Sequence, residues 1–268
     1  MTSADRDKFA LLRQPRRVWA IAAIHGMADQ LFRLHETLDQ RLVDGDRIVY
    51  LGNYLGHGDH VAATIDDLLA YRRHFLSRSR VFAYDIAYLR GSQEEMWQKL
   101  LQLQFAPNPR EVLQWMLDHG VSATLTAYGG SAQEGMLSAR DGAVSITRWT
   151  NGLRAAMQAR PGHYVLMSAL RRAAYTDDNA LLFVHAGIDP DRPLSAQSDE
   201  LWWGGEGFAR MRGPFGEFRC VVRGYDRAHG GIATNGWSAS IDAGAGFGGP
   251  LVAVCFDCSG AIVDRIET

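Results

Sequence analysis

The chain has 268 residues, 47% of them apolar and 22% charged, with a formal net charge of -2 and a sequence pI near 6.5. That length and balance suit one large α/β domain with a sizeable buried core, and the weak negative charge argues against nucleic acid or an anionic membrane as a bulk electrostatic partner. No apolar run approaches the ~20 residues that span a bilayer, and residues 1–17 are charged without the apolar centre of a secretory signal, so a cytoplasmic protein is expected.

Residues 1–17 read as a basic, frayed arm, followed by a single domain over 18–268. Val18 to Ile24 is a continuous apolar run, the mark of a buried strand. After the His25-Gly26 turn, Leu31, Leu34 and Leu38 recur at helical spacing through Leu42. Asp44-Gly45-Asp46 is a turn signal, and Arg47 to Gly52 is a second strand. A loop from Asn53 to His60 leads to an amphipathic helix over Val61 to Phe75, and Val81 to Leu89 reads as a third strand. Helical pattern returns from Glu94 to Leu103, breaks at Pro107 and Pro109, and resumes from Arg110 to His119. Residues 120–143 read as irregular; Ala143 to Gln158 and Pro161 to Leu170 are further helices. The stretch 97–170 is therefore a helical elaboration rather than a second core. Strands are expected again at Ala180 to His185, then a long loop with one helical turn over 188–218. Arg219 to Arg223, Ser238 to Asp242, Leu251 to Asp257 and Ala261 to Arg265 form a closing run of strands. Strand–helix alternation early and clustered strands late predict two sheets packed face to face with helices outside.

Four stretches share one grammar, an apolar run ending in a glycine turn: Ile24-His25-Gly26, Leu51-Gly52-Asn53-Tyr54, Leu89 to Met96, and Val184-His185-Ala186-Gly187. In open α/β sheets such strand ends converge on a ligand crevice. The three cysteines are Cys220, Cys255 and Cys258. Cys255-Phe-Asp-Cys258 lacks the second pair that zinc needs, and it falls in a strand and turn rather than at a thiolate-stabilising helix start.

These stretches, together with Gly45 to Tyr50 and Ile241-Asp242-Ala243-Gly244-Ala245, resemble the bacterial serine/threonine-type phosphoprotein phosphatases among the calcineurin-like metallophosphoesterases. The resemblance runs from about Val18 to Ile266. It implies an α/β fold of two packed mixed β-sheets flanked by helices. It also implies a site where two metal ions, about 3.5–4 Å apart, activate a water and clamp a phosphoryl group. Carried over residue by residue, the ligand positions of that site are Ala23, His25, Asn53, Ser92, His185 and Tyr225. The family has aspartate at the first and third, asparagine at the fourth and histidine at the last. Only His25 and His185 keep their type. The phosphate-gripping arginine is replaced by His57, the histidine that protonates the leaving group by Gln93, and a further arginine, in a less secure alignment, by Gly204.

The resemblance therefore implies a fold retained and a chemistry lost. An amide at Asn53 neither bridges nor neutralises two dications that repel each other strongly. Gln93 has no proton to donate, where general acid catalysis is worth ~10²–10⁴-fold. His57 does not reproduce a bidentate arginine grip. The expectation is a pseudophosphatase without catalytic residues or cofactor. It would bind a phosphorylated ligand or a protein partner through a crevice of His25, Asn53, His57, Gln93, His185, Tyr225 and Asp226, or through its outer surface.

The alternative is a phosphoesterase, for phosphoproteins or dinucleoside polyphosphates, rebuilt around a single Mn, Fe or Zn ion, with Asp59, Asp226 and Glu94 as the available acids. His25 and His185 also read as plain core histidines, and His57, Asp59 and His60 as a solvated loop. Asp226 and His229 lie just after Tyr225, and spacing alone does not decide whether they enter the crevice. Asp85 reads as a strand residue facing a polar neighbour. Trp202, Trp203 and Trp237 read as packing residues or as a ligand or partner surface.

Overall fold

The computed structural model describes residues 8–268. Two mixed sheets face each other. One has six strands in the order β1-β5-β6-β7-β9-β8 and the other five in the order β11-β10-β2-β3-β4. The first comprises β1 (Phe9–Leu12), β5 (Ala173–Thr176), β6 (Leu181–Val184), β7 (Cys220–Arg223), β8 (Ala233–Thr234) and β9 (Ser238–Ser240). The second comprises β2 (Arg17–Ile21), β3 (Asp46–Tyr50), β4 (Ile86–Tyr88), β10 (Val252–Asp257) and β11 (Ile262–Glu267).

Side-chain alternation along the strands builds three layers of core. Val18 and Ala20 of β2 meet Leu181 and Phe183 of β6 between the sheets, with Val49 and Phe256. The intervening Trp19 and Ile21 face the helices, beside Ile48 and Tyr50. Leu182 and Val184 of β6 face the other way, onto Leu201, Trp202 and Phe208. Strands buried on both faces explain why these segments read as unbroken apolar runs.

Helices α1 (Ala28–Arg41) and α2 (Val61–Leu76) cover the five-stranded sheet, followed by α3 (Ser92–Leu100) and α4 (Pro109–Asp118). The segment expected to be irregular is instead α5 (Val121–Ala127) and α6 (Ala132–Asp141). Gly120, at φ +98°, starts the first, and the Ser131 hydroxyl caps the second by accepting the Glu134 N–H. Next come α7 (Ala143–Ala159) and α8 (His163–Ala169), and then two short helices, α9 (Glu200–Trp203) and α10 (Glu206–Arg210), in the segment expected to hold a single helical turn.

Three other expectations are corrected. The described part of the N-terminal arm is not frayed, because Phe9–Leu12 pairs in parallel with Ala173–Thr176; residues 1–7 of the arm lie outside the described residues. The third strand is only Ile86–Tyr88, because the chain makes a 3-10 turn over Ala83–Asp85 first. Asp85 holds that turn, accepting the Phe82 N–H and pairing with Arg47 Nε at 2.9 Å. Strand β5 precedes the Ala180–His185 segment, where strands were expected to resume. Among the described residues no helix is long and apolar enough to cross a membrane.

Candidate functional site

The parallel strands β2, β3 and β4 of one sheet and β6, β7 and β9 of the other deliver their following turns to one end of the sandwich. There His25, Asn53, Ser92, His185, Tyr225 and Asp242 emerge, as the strand-end rule requires. Two of these turns carry non-glycine residues in the left-handed region, His25 and Asn53, both at φ +53°. Asn and His tolerate that region better than most residues. Gly91 is needed for close approach, since a Cβ there would lie 2.3 Å from Asn53 Oδ1.

Asn53 is the hub. It is fully buried, and its Oδ1 accepts the Ser92 hydroxyl at 3.1 Å and the Gln93 backbone N–H at 2.9 Å. A backbone N–H only donates, so this oxygen is fixed and the amide nitrogen must face His25 Nε2, 3.2 Å away. His25 Nε2 therefore accepts, and its proton sits on Nδ1, which is buried without a protein partner. His185 has the same tautomer. Its Nδ1 donates to the Leu51 carbonyl at 2.6 Å, leaving a buried Nε2 lone pair unpartnered.

Burial drives His25 well below the usual imidazole range, with His57, His185 and His229 nearby adding to the effect. Burial also brings His185 to about 4, against the pull of the Leu51 carbonyl. His57 is lowered by burial and then by His229 and His119.

Around this hub the crevice is filled by rings. His25 packs edge-on to His57 at 5.1 Å and to Phe247 at 5.1 Å, and Tyr225 stacks on His185 at 5.3 Å. His229 stacks on Phe247 at 4.2 Å and holds Asp242 through Nδ1 at 2.8 Å. His229 was a sequence candidate for the crevice, whereas Phe247 and Asp242 were not singled out as crevice groups. The glycine run that carries Phe247, and the φ of +48° at His229, are what bend these loops inward.

Two of the three expected acids, Glu94 and Asp226, are engaged elsewhere. Glu94 is an anchor rather than a ligand: one oxygen accepts the Asn53 and Gly91 N–H groups and the other the Leu55 N–H. Burial raises its pKa while those three donors pull it down. Asp226 turns to Arg223 at 2.6 Å. Asp59 and His60 are exposed, whereas His57 packs against Phe247 at 4.4 Å.

Gln93 reaches the His119 carbonyl through Nε2. Ala23 is buried, its N–H on the Gly224 carbonyl. Gly204 packs against Ala186. Trp202 belongs to the core beneath the six-stranded sheet, as does the partly buried Trp237 at its margin, and Trp203 meets Trp115 at 5.7 Å. Cys255 is buried, its thiol pushed up to about 12. Cys258 donates to the Pro15 carbonyl.

This donor set does not fit a dinuclear centre. Hard dications need charged oxygen donors, and the bridging position holds a neutral amide whose oxygen already accepts two hydrogen bonds. Among the described residues no group of three or more His, Cys, Asp or Glu is placed to hold a metal ion.

Neither a family model nor a curated protein sequence matches the chain. Solved structures do. A putative diadenosine tetraphosphatase is similar over 97% of both chains, with a TM-score of 0.60 and 18% identity. A protein serine/threonine phosphatase from Saccharomyces cerevisiae is similar over 99% of this chain and 84% of its own, with a TM-score of 0.51 and 14% identity. A point mutant of a cold-active protein tyrosine phosphatase is similar over 100% of this chain and 85% of its own, with a TM-score of 0.50 and 13% identity. The fold is that of the calcineurin-like metallophosphoesterases.

Proposed function

We propose that this chain is a pseudophosphatase: a phosphatase-like fold that acts by binding a phosphorylated ligand or a protein partner and holds no catalytic metal. The observation that carries this reading is the commitment of Asn53. Its oxygen serves Ser92 and Gln93 and its nitrogen serves His25. The position that would bridge two ions is thus a closed, neutral hydrogen-bond hub. The replacement of the leaving-group acid by Gln93 and the arginine by His57 supports the same reading, since each removes a different part of phosphoryl-transfer chemistry.

The alternative of a phosphoesterase with a rebuilt site draws on one observation, the Asp242–His229 pair at the crevice. Glu94 and Asp226 lend it no support, since backbone N–H groups engage the first and Arg223 the second, and Asp59 is exposed.

The test is elemental analysis of the chain after soaking in excess manganese and desalting, with a phosphatase assay on the same sample. Tight metal sites survive desalting. Less than ~0.1 ion per chain, with no hydrolysis, is the expected result. One or two ions per chain would overturn the proposal.

A further inference from the structure

Two buried nitrogens in the crevice have no protein partner, and the bonds made by the other nitrogen of each ring fix what they offer. His25 is 1% exposed and His185 is fully buried. Asn53 Nδ2 engages His25 Nε2, which leaves the Nδ1 N–H as an unused donor. The Leu51 carbonyl engages His185 Nδ1, which leaves Nε2 as an unused acceptor. Both rings border Tyr225, with centroids 5.8 and 5.3 Å from its own, so donor and acceptor belong to one crevice. Buried polar atoms of this kind are completed by a ligand or by ordered water. A hydroxyl suits both, since it accepts one hydrogen bond and donates another. A phosphate dianion has no proton to give the His185 lone pair, and neither has an ether.

The body of the ligand follows from what fills the mouth of the crevice. Phe247 lies among the rings of His25, His57 and His229, with centroids 5.1, 4.4 and 4.2 Å away, yet it is 45% exposed. It sits between Gly246 and Gly248, both at positive φ, +83° and +90°, so neither neighbour pins it with a packed side chain. Phe247 is an aromatic guest that the chain itself supplies to these imidazoles.

We propose that the crevice receives a phenol, the side chain of tyrosine or a free one. Its ring takes the place of Phe247 against His57 and His229, and its hydroxyl accepts from His25 Nδ1 and donates to His185 Nε2. The inference rests on the binding role proposed above and narrows it to a hydroxyl that carries no phosphate.

The test is calorimetric titration at pH 7.5, where a phenol keeps its proton and a phosphate monoester is mostly dianionic. Metal content and phosphatase activity are measured first on the same protein. Bound ions or hydrolysis at that step would sink the binding role, whereas the titration judges the phenol by itself. The ligands are 4-methylphenol, 4-methylanisole, 4-methylphenyl phosphate and N-acetyltyrosinamide. They are offered to the wild type, Phe247→Ala and His185→Asn, with circular dichroism checking that both variants stay folded. The expected result is one 4-methylphenol per chain, bound ~10-fold or more tighter than the ether or the phosphate. In Phe247→Ala, where the competing ring is gone, it should bind a further ~10-fold tighter. In His185→Asn the preference for the phenol over the ether should vanish. Binding of N-acetyltyrosinamide places the source in a protein partner, and binding of 4-methylphenol alone places it in a small molecule; either upholds the site. Equal binding of the ether or the phosphate, binding in Phe247→Ala absent or no tighter than in the wild type, or an undiminished preference in His185→Asn overturns the assignment.

Discussion

The amide nitrogen of Asn53 faces His25 Nε2 at 3.2 Å. This pair stands at the two positions where the sequence resemblance implies a shared carboxylate and an imidazole ligand. Because Ser92 and the Gln93 N–H fix the amide's orientation, the bond also sets the His25 tautomer and aims its N–H away from Asn53. Polar contacts and ring packing shape the crevice around this pair.

Asn53→Asp tests that arrangement directly. The carboxylate keeps the two bonds to Ser92 and Gln93 but loses the donor to His25. It also buries a negative charge one hydrogen bond from Glu94, which accepts the Asn53 N–H at 2.9 Å. The expected cost is ~1–3 kcal/mol, read as a fall of several degrees in Tm. Manganese should not restore it, since Ala23 supplies no second carboxylate. In the Ala23→Asp/Asn53→Asp double variant, a Tm that rises with manganese is expected; a similar rise in the wild type would contradict the closed-hub description.

Stability should fall on mild acidification. An unfolded histidine titrates near 6.5, whereas folded His185 titrates at about 4 and His25 and His57 are also lowered. Below pH ~6.5 the unfolded chain therefore binds more protons, and the folded state loses ground as pH falls. The contribution is present above the unfolded value and gone once pH passes the folded one. For His185 alone the span from 6.5 to about 4 is on the order of 3 kcal/mol. Denaturant unfolding at pH 7.5, 6 and 5 should show the decline. His185→Asn retains a donor for the Leu51 carbonyl and removes the titration, so it should flatten the slope.

Some of this was readable from residues alone. Val18 to Ile24 announced a strand because both faces of β2 are buried. Ala173–Thr176 did not, because Ala-Ala-Tyr-Thr offers little branched apolar side chain and its pairing is settled by contact with Phe9–Leu12. The Ser131-x-x-Glu134 spacing was a visible helix start, masked by the neighbouring glycines. The strand-end turns bring His25 beside Asn53 and Tyr225, and Tyr225 onto His185. Phe247 lies far from His25 in sequence yet packs on its ring, and no spacing rule encodes a contact between two loops.

Phe247 should act as a shield. Though 45% exposed, it covers the rings of His25, His57 and His229. Phe247→Ala removes that cover with a modest loss of stability, ~1 kcal/mol, since much of the ring already meets water. Water then reaches imidazoles whose low proton affinity comes chiefly from burial. Histidine signals followed by NMR across pH 4 to 8 should show His25 and His57 titrating at higher pH than in the wild type. Unchanged titration would place the source of desolvation deeper than Phe247.

Glu94 ties the loop after β3 to the start of α3. Its two oxygens accept the N–H groups of Asn53, Gly91 and Leu55, between 2.8 and 3.1 Å. Glu94→Gln replaces one acceptor oxygen by an amide nitrogen. Whichever way the amide turns, at least one backbone N–H then faces another donor. Losing a buried bond to a charged acceptor costs ~1.5–3 kcal/mol, so unfolding at pH 7 should shift to lower denaturant with an unchanged slope. Amide exchange at Asn53, Leu55 and Gly91 should accelerate more than at Val49 in the middle of β3, because the loop opens locally before the sheet does. If exchange rises equally at all four positions, Glu94 stabilises the whole chain without anchoring this loop.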